Sequence, residues 1–193
     1  MAEHTEKLSL VFHPLTSQRW RDFEQLFGER GACGGCWCMW FRLSQKDFEA
    51  NKGEGNRSAM RRLVDSGEIP GILAYNNNRA VGWCSVAPRE KFTRLQRSRI
   101  LKPVDDLPVW SIVCLYVDRK IRRMGVSCRL LAAACDFVKS QGGKIVEGYP
   151  VEPKKGSMPD IFAYHGLASA FLQAGFQEIA RRSATRPIMR SVC

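Results

Sequence analysis

The sequence predicts an α/β fold of the α+β type, in which helices flank a mixed, mainly antiparallel central sheet. Apolar runs of strand length alternate along the chain with amphipathic segments of helical period, which is typical of such mixed folds. Short turn signals between several of the runs favour antiparallel pairing. A chain of 193 residues is long enough for one substantial core and short for two, so we expect one domain over residues 1–193.

The first half of the chain is predicted to hold three strands and two helices. Apolar residues between Trp20 and Phe27 recur at helical spacing, and Thr16 or Ser17 can cap that helix. Three asparagines, which tolerate positive φ, indicate a hairpin turn at residues 76–78. The predicted elements are a strand over 8–12, a helix near 17–27, a break over 28–38, a mobile polar loop over 47–56, a helix ending near Gly67, and hairpin strands over 69–75 and 80–86.

The second half is predicted to centre on a strand, a basic turn and a long helix. Apolar residues predict a strand over 109–117 and then a helix from about Gly125 to Gln141. A pair of glycines directly after Gln141 ends that helix. The other predicted elements are a basic amphipathic segment over 93–102, a strand over 144–148, a loop rich in proline and glycine over 150–159, a helix over 167–173, and final strands over 176–181 and 186–192.

Composition excludes a membrane-spanning protein and a disulfide scaffold. The sequence has no apolar run of about eighteen residues, and its first ten residues lack the apolar core of a secretory signal. Several of the eight cysteines lie in apolar strand or helix patterns, which indicates buried free thiols. We therefore expect a cytoplasmic protein in a reducing compartment.

The net charge of +11 predicts a polyanionic partner, which could be a phosphorylated cofactor or nucleic acid. The basic residues cluster over 89–102 and 119–129, on either side of the strand over 109–117. No stacking-aromatic pattern or helix-turn-helix logic accompanies them, so nucleic acid is not the favoured partner.

The stretch from Val109 to Gly143 carries the strongest functional signal. An apolar strand passes into a basic turn that contains Arg122, Gly125 and Ser127, and then into an amphipathic helix. The start of a helix presents unpaired backbone N–H groups, and a glycine there lets a ligand approach the backbone closely. With arginines around it, this turn predicts a site for phosphate or pyrophosphate.

In these residues the chain resembles the GNAT superfamily of N-acetyltransferases, whose coenzyme-binding core is a strand, an [R/Q]-x-x-G-x-[G/A] turn and a helix. Arg122 and Gly125 fall on the motif positions, and Ser127 replaces its small final residue. The strands near 72–86 and the late Gly-Phe pair at 175–176 also match, as does the order of elements from residue 8 to residue 192. The resemblance implies the GNAT fold.

The resemblance also implies acyl transfer from acetyl-CoA, as co-substrate, to an amine. Backbone groups of Leu115, Tyr116 and Val117 would hold the pantetheine arm and polarise the thioester carbonyl. Basic side chains near the turn, Arg122 among them, would contact the remaining phosphate. The backbone N–H groups implied to bind the pyrophosphate are those of Arg123, Met124, Gly125, Val126 and Ser127.

Acyl transfer to an ammonium needs a base for the amine and benefits from an acid for the leaving thiolate. Many GNAT enzymes place a tyrosine where this chain has Phe171, which has no proton to donate. Tyr149 or Tyr164 could substitute for it, or solvent could protonate the thiolate. Glu147, on the predicted strand over 144–148, is the best-placed carboxylate for the base, whereas Asp118 can simply begin the basic turn.

Cysteine and histidine leave three alternatives open. Cys114, on the strand over 109–117, could attack the thioester, although strand cysteines are usually packing residues. Cys33, Cys36 and Cys38 form a C-x-x-C-x-C pattern that could offer thiolates to zinc, but no fourth ligand lies nearby in sequence, so no metal is predicted. His165 could reach the cleft as a proton shuttle.

We favour a packing role for the cysteine-rich segment, in which Trp37, Met39 and Trp40 form an apolar wall. By analogy with the family, this wall would border the binding site of the acceptor amine.

We therefore predict an N-acetyltransferase that transfers acetyl from acetyl-CoA to an amine of a small molecule or peptide by direct attack. The alternative is a catalytically weak GNAT-fold module that senses acyl-CoA, which Phe171 in place of the usual tyrosine would explain. A nucleic-acid-binding protein that uses the basic segment over 89–102 is a third class. The basic surface argues against a polycationic acceptor, and the sequence leaves the oligomeric state open, a homodimer included.

Overall fold

The computed structural model describes residues 8–153 and 160–193. Its strands are β1 (Leu10–Pro14), β2 (Gly71–Asn76), β3 (Arg79–Pro88), β4 (Trp110–Val117), β5 (Ile145–Gly148), β6 (Gln177–Arg181) and β7 (Pro187–Val192). Its α-helices are α1 (Trp20–Phe27), α2 (Gln45–Ala50), α3 (Glu54–Asp65), α4 (Thr93–Gln96), α5 (Val126–Ser140) and α6 (Ala168–Gln173). Short 3-10 turns lie at Ser17–Arg19, Arg89–Lys91, Arg119–Ile121 and Asp160–His165.

The strands form one sheet in the order β1-β2-β3-β4-β5-β7-β6. The strands β4 and β5 run parallel, and the other neighbouring pairs are antiparallel. A parallel pair needs a crossover between its strands, and α5 supplies it here. The predicted α+β fold with a mainly antiparallel sheet is thus confirmed.

Side chains that alternate along the strands build apolar cores on both faces of the sheet. On one face, Ile72 packs in a cluster with Leu130 of α5 and Phe171 of α6. On the other face, Leu73 and Trp83 pack in a cluster with residues of α1 and α3. A third cluster surrounds α4 and the ends of β5 and β7. The sheet is therefore covered on both sides, and its strand ends are held in place.

Turn chemistry sets two of the predicted connections. Asn77 and Asn78 have φ of 48° and 62°, so both residues that join β2 to β3 are left-handed, as a tight hairpin requires. Gly125, with φ of 74°, directly precedes α5, and Gly142, with φ of 78°, follows its end. The predicted hairpin and the predicted long helix are both confirmed.

The prediction of a mobile loop over 47–56 is wrong, because these residues form α2 and the start of α3. Ser44 caps α2, its hydroxyl accepting from the Asp47 N–H at 3.2 Å. The buried Asn56 side chain donates to the Gly35 carbonyl at 3.1 Å. The two helices are therefore tied to the cysteine-rich turn, a long-range contact that the local composition does not reveal.

Smaller differences concern element boundaries. Thr16 makes no side-chain cap, and a 3-10 turn precedes α1. The helical part of the basic segment over 93–102 is confined to the four residues of α4. Residues 154–159 of the loop predicted over 150–159 lie outside the described residues. Across the described chain, no helix combines the length and the apolar character that crossing a membrane requires.

Candidate active site

The strands β4 and β5 separate along their length, and the candidate site lies at the gap between them. They pair from Trp110 and Val146 as far as Ile112 and Gly148. Beyond that point β5 ends, while β4 continues to Val117. The second half of β4 therefore has β3 on one side and, in the described chain, no strand on the other.

A β-bulge in β4 lies at the point of separation. Ser85 of β3 faces Cys114, and Val86 faces Ile112, which leaves Val113 as an extra residue in β4. A bulge bends a strand and increases its twist. The bulge thus helps to turn the second half of β4 away from β5 and opens the gap.

A cleft of about 660 Å³ lies along this part of β4. It is bordered by the turn after α1, by β4, by the turn before α5 and by the segment before α6. Its described lining residues are Arg30, Ala32, Cys33, Gly34, Leu115, Tyr116, Val117, Arg119, Arg122, Arg123, Ser127, Ala163, Tyr164, Gly166, Leu167 and Ala170. Four of these are arginines and none is acidic, so the described part of the cleft favours an anionic ligand.

The turn between β4 and α5 forms the most basic end of the cleft. Gly125 has φ of 74°, and no atom of the described residues, its two chain neighbours apart, lies within 4 Å of a Cβ built on it. The first N–H groups of a helix have no partner within the helix, and the helix dipole adds positive charge there. The open space above Gly125, with Arg123 and Ser127 beside it, therefore suits a phosphate group.

Two side chains order this turn. The Arg122 Nε donates to the Val117 carbonyl at 3.0 Å, which ties that side chain to the end of β4. Asp118 accepts from the Lys120 N–H at 3.0 Å and forms an ion pair with Arg79. Asp118 thus begins the turn, as the sequence suggested for it.

The residues predicted to bind the coenzyme lie together. Those that line the cleft are Leu115, Tyr116, Val117, Arg122, Arg123 and Ser127. Met124, Gly125 and Val126 complete the same turn without lining it, the Met124 side chain being exposed and that of Val126 buried. What these three can offer a ligand is their backbone, which is the role that the resemblance implied for them.

Glu147 and Tyr149, both predicted to be catalytic, lie in a buried network and do not line this cleft. Glu147 is 1% exposed; its Oε1 accepts from Arg190 at 2.6 and 3.1 Å, and its Oε2 accepts from the Tyr149 hydroxyl at 3.0 Å. That hydroxyl also accepts from Arg89 and lies 2.9 Å from the Ser111 hydroxyl. Burial and the Glu147 carboxylate raise the pKa of Tyr149 well above its ordinary value.

Tyr164, the third residue predicted to be catalytic, lines the cleft. Burial, reinforced by the nearby Cys114, raises the pKa of Tyr164 to about 12, so its hydroxyl keeps its proton at neutral pH. A protonated hydroxyl in the cleft can donate to a leaving group. The catalytic roles of all three residues stay predictions, and Tyr164 is the one whose position gives it access to a ligand.

His165 is a buried neutral side chain, 8% exposed, whose ring packs against that of Tyr164 in a tilted arrangement with 3.9 Å between ring centroids. Burial, with the charge of Arg186, lowers the pKa of His165 to about 3. Its Nδ1 has no hydrogen-bond partner among the described residues. Because a proton shuttle needs a pKa near the working pH, the geometry does not support that alternative.

Phe171, at the position where many GNAT enzymes have tyrosine, is a core residue. It is fully buried and packs on Phe176 with 5.0 Å between ring centroids. A Cβ added to Gly148 would lie 2.0 Å from the Phe171 ring. The ring therefore packs tightly against the end of β5, where it contributes to the core and has no proton to exchange.

Of the cysteines that offered alternatives, Cys36, Cys38 and Cys114 pack in the cluster of Trp83, whereas Cys33 is exposed. The Trp83 Nε1–H donates to the Cys38 sulfur at 3.2 Å, and a hydrogen bond from Cys114 lowers the pKa of Cys38 to about 7. That bond and burial raise the pKa of Cys114 well above its ordinary value, which does not favour Cys114 as the nucleophile. In the described residues, no three His, Cys, Asp or Glu side chains are grouped to hold a metal ion.

Two arginines near Tyr164 were missed by the sequence analysis. Arg94, on α4, lies over the Trp40 ring with its Cζ 3.6 Å from the ring centroid. The charges of Arg94 and Arg186 both oppose the rise in the pKa of Tyr164. They come from segments 92 residues apart that carry no local motif. Only the folded structure shows that both charges act on Tyr164.

The sequence model described as the acetyltransferase (GNAT) family matches residues 37–154, which is more than half of the chain. That range contains β4, the basic turn and α5. No curated protein sequence matches the chain significantly.

Several solved structures are similar to the chain. PaiA N-acetyltransferase from Thermoplasma acidophilum, in complex with coenzyme A, has 14% identity and a TM-score of 0.54 over 96% of this chain and 100% of that one. An aminoglycoside 6'-N-acetyltransferase complexed with coenzyme A has 13% identity and a TM-score of 0.53 over 94% and 96%. The NatC complex bound to Gag peptide and CoA has 12% identity and a TM-score of 0.52 over 95% and 98%. At these identities the likeness shows a shared fold.

Proposed function

Because the chain belongs to the GNAT family of acetyltransferases, we propose that it transfers the acetyl group of acetyl-CoA to an amine by direct attack. One observation carries the proposal: the gap between β4 and β5 opens into a basic cleft that ends at the start of α5. A long, phosphorylated thioester substrate fits such a cleft, with its phosphates at one end and its acetyl group near the bulge.

The residues present fit acetyl-CoA. The unobstructed approach to Gly125 and the N–H groups of the first turn of α5 would hold the pyrophosphate, while Arg122 and Arg123 add fixed positive charge. The backbone of β4 from Leu115 to Val117 would orient the pantetheine arm and polarise the carbonyl. Acetyl-CoA supplies an activated acyl group and a thiolate leaving group. Holding it in place gives much of the rate gain expected from positioned reactants.

We assign Tyr164 as the acid that protonates the leaving thiolate, since it lines the cleft and keeps its proton at neutral pH. Glu147 was the sequence-based candidate for the base, with Tyr149 as a second candidate acid. Their mutual hydrogen bond and the pairing of Glu147 with Arg190 support a positioning role, in which they hold the end of β5 beside β4. Solvent in the cleft then receives the proton of the amine.

The acceptor is proposed to be an amine of a small molecule or peptide. The solved relatives named above include one complexed with coenzyme A that acts on aminoglycosides by name, and one bound to a peptide. The four arginines of this cleft oppose a polycationic acceptor. All eight cysteines are free thiols, which supports a cytoplasmic site of action in a reducing compartment.

Coenzyme binding is tested by thermal shift with a matched pair of glycine variants. Gly125 and Gly142 flank α5, both have positive φ, and in the described structure an added Cβ at either one would have no atom within 4 Å beyond its chain neighbours. Gly125→Leu and Gly142→Leu should therefore lose similar stability through backbone strain. Acetyl-CoA should raise the Tm of the wild type and of Gly142→Leu by selective binding to the folded state, and should fail to raise that of Gly125→Leu. Absence of a shift in the wild type at millimolar acetyl-CoA would exclude the coenzyme.

Turnover is tested by thiol release from acetyl-CoA with a panel of amines, with the acetylated products identified by mass spectrometry. The expected result is amine-dependent thiol release and an N-acetyl product. A protein that binds acetyl-CoA and acetylates none of the amines would instead match the alternative of an acyl-CoA-sensing module.

A further inference from the structure

Arg94 and Arg186 are each anchored by the protein while most of their N–H groups are left unused. The Arg94 Nε donates to the Leu43 carbonyl at 3.2 Å, and the Arg186 Nη2 donates to the Tyr149 carbonyl at 3.0 Å. Both side chains are half-buried, and burial lowers the pKa of each guanidinium. In the described chain, neither forms another side-chain hydrogen bond, and each has a buried nitrogen without a partner.

In the part of the chain that the structure describes, no carboxylate neutralises Arg94 or Arg186. Within the described residues, neither arginine has an acidic side chain at ion-pair distance. Glu49 is close enough to act on the charge of Arg94, but it is paired with Lys52 at 3.2 Å. By contrast, Arg190 is held by two carboxylates. A half-buried guanidinium without a counter-charge favours an anion.

The two arginines lie near the end of β5 and near the aromatic cluster next to Tyr164. Arg186 is hydrogen-bonded to the backbone directly after the end of β5, beside the point where β4 and β5 separate. Arg94 stacks on Trp40, which borders the cluster that also contains Phe41, Cys114 and Tyr164. The charges of both arginines act on the Tyr164 hydroxyl. Both arginines therefore lie beside the cluster that includes the proposed acid, on segments other than the turn at Gly125, where the phosphates would bind.

We propose that the acceptor is an amine that also carries a carboxylate, as in an amino acid or a short peptide, and that Arg94 and Arg186 bind this carboxylate. The inference rests on the proposed acetyltransferase function and specifies its substrate class. In the reaction, the neutral amine nitrogen forms a bond to the acetyl carbon and the carbon–sulfur bond breaks. The thiolate takes a proton from Tyr164, and the proton lost by the amine passes through solvent and restores the tyrosine.

The test compares matched acceptors that differ only in the carboxylate. Glycine, methionine, phenylalanine and glycylglycine are each assayed as the free acid and as the carboxamide, with kcat/KM measured by thiol release. We expect the wild type to prefer the acids at least about tenfold, the size typical of one charge-assisted hydrogen bond. The single amino acids and the dipeptide distinguish the two sources of the carboxylate.

Variants assign the preference to the two arginines. Arg94→Gln and Arg186→Gln should each lower the acid-to-amide ratio by about tenfold, mainly through KM. Arg97→Gln, at an exposed residue directly after α4, is the matched control and should keep the wild-type ratio. Equal rates for acids and amides in the wild type would overturn the inference while leaving the acetyltransferase function standing.

A binding measurement decides the inference if no amine is acetylated. Protein saturated with CoA is titrated by calorimetry with N-acetylphenylalanine and with N-acetylphenylalaninamide, which mimic the two classes of product. If N-acetylphenylalanine binds more tightly than its amide, and if Arg186→Gln abolishes that difference, the carboxylate site is supported. This result counts even if no turnover is found and the proposed function has therefore failed. Equal binding of the two compounds refutes the carboxylate site.

Discussion

Two tyrosines near the end of β5 show how differently the chain treats buried polar groups. Tyr149 is surrounded by partners: it donates to Glu147, accepts from Arg89, and lies beside the Ser111 hydroxyl. Tyr164 has two arginines and a neutral histidine around it, and no side-chain hydrogen bond in the described chain. Burial raises the pKa of both hydroxyls, so the difference lies in their partners.

The contrast separates stability from function. Around Tyr149 the charges of Arg190 and Glu147 are matched inside the protein, so this ion pair needs no counter-charge from a ligand. Around Tyr164 the positive charge is left over, and a half-buried group with unused donors costs stability unless something binds to it. We therefore expect substitutions at the first site to affect folding and substitutions at the second to affect activity.

The largest expected effect is the loss of stability in Glu147→Gln. The substitution leaves Arg190 without its buried counter-charge, which typically costs about 3–5 kcal/mol, or a fall in Tm of roughly 10 °C for a chain of this size. Asp105→Asn, at the exposed end of the same arginine, is the control and should cost much less. Calorimetric unfolding measures both. A Glu147→Gln variant with wild-type Tm and no turnover would make Glu147 the base.

The second effect is a loss of stability at acid pH that is caused by His165. Its pKa is about 3 in the folded chain and ordinarily about 6.5, so the unfolded chain binds the extra proton as the pH falls below 6.5. The contribution of neutral His165 to the free energy of unfolding is therefore complete above pH 6.5. It is lost as the pH falls toward 3, at up to about 1.4 kcal/mol per pH unit. Between pH 7 and pH 4, urea unfolding should show a loss in the wild type that is roughly 3 kcal/mol larger than in His165→Leu. Parallel curves would contradict the assignment.

The third effect is the loss of activity in Tyr164→Phe. Removing a positioned acid should lower kcat by about 100-fold, or about 2.7 kcal/mol of transition-state stabilisation. The thermal shift produced by acetyl-CoA should be unchanged, because the proposed coenzyme contacts lie on the β4 backbone and the turn before α5. Steady-state kinetics and thermal shift are measured on the same preparation. An unchanged kcat would assign the protonation of the thiolate to solvent.

The smallest effect is expected from Tyr149→Phe, which completes the comparison. It removes a partner from Glu147 and from Arg89, and a buried group left unsatisfied costs about 1–3 kcal/mol. Turnover per folded molecule should fall far less than in Tyr164→Phe. If Tyr149→Phe lost turnover and kept its stability, the functions assigned to the two tyrosines would have to be exchanged.

Sequence reasoning succeeded where the structural cause is local. The left-handed residues of the hairpin and Gly125 before α5 were predictable because few residues adopt positive φ. It failed over 47–56, where Ser44 offers a local cap but the contact of Asn56 with Gly35 joins segments distant in sequence. Polarity and glycines alone could not reveal that contact.

The candidate site shows the same division between features with a local cause and features that depend on contacts between distant segments. The strand, turn and helix proposed to hold acetyl-CoA were predictable because one continuous stretch from β4 to α5 builds them. The roles of Glu147 and Tyr149 could not be judged from sequence, since their side chains are satisfied by Arg89 and Arg190 from other strands and turns. Nothing local to Arg94 or to Arg186 indicates that the charges of both act on Tyr164.

By itself the sequence determined the family, the mainly antiparallel α+β fold and the turn that would receive a phosphorylated coenzyme, because these depend on periodicity, turn residues and a contiguous motif. Only the tertiary structure decided which tyrosine lines the cleft and which arginines have no paired carboxylate among the described residues. Burial and pairing arise when distant segments meet, and they determine whether a polar side chain is used by the protein or left for a ligand.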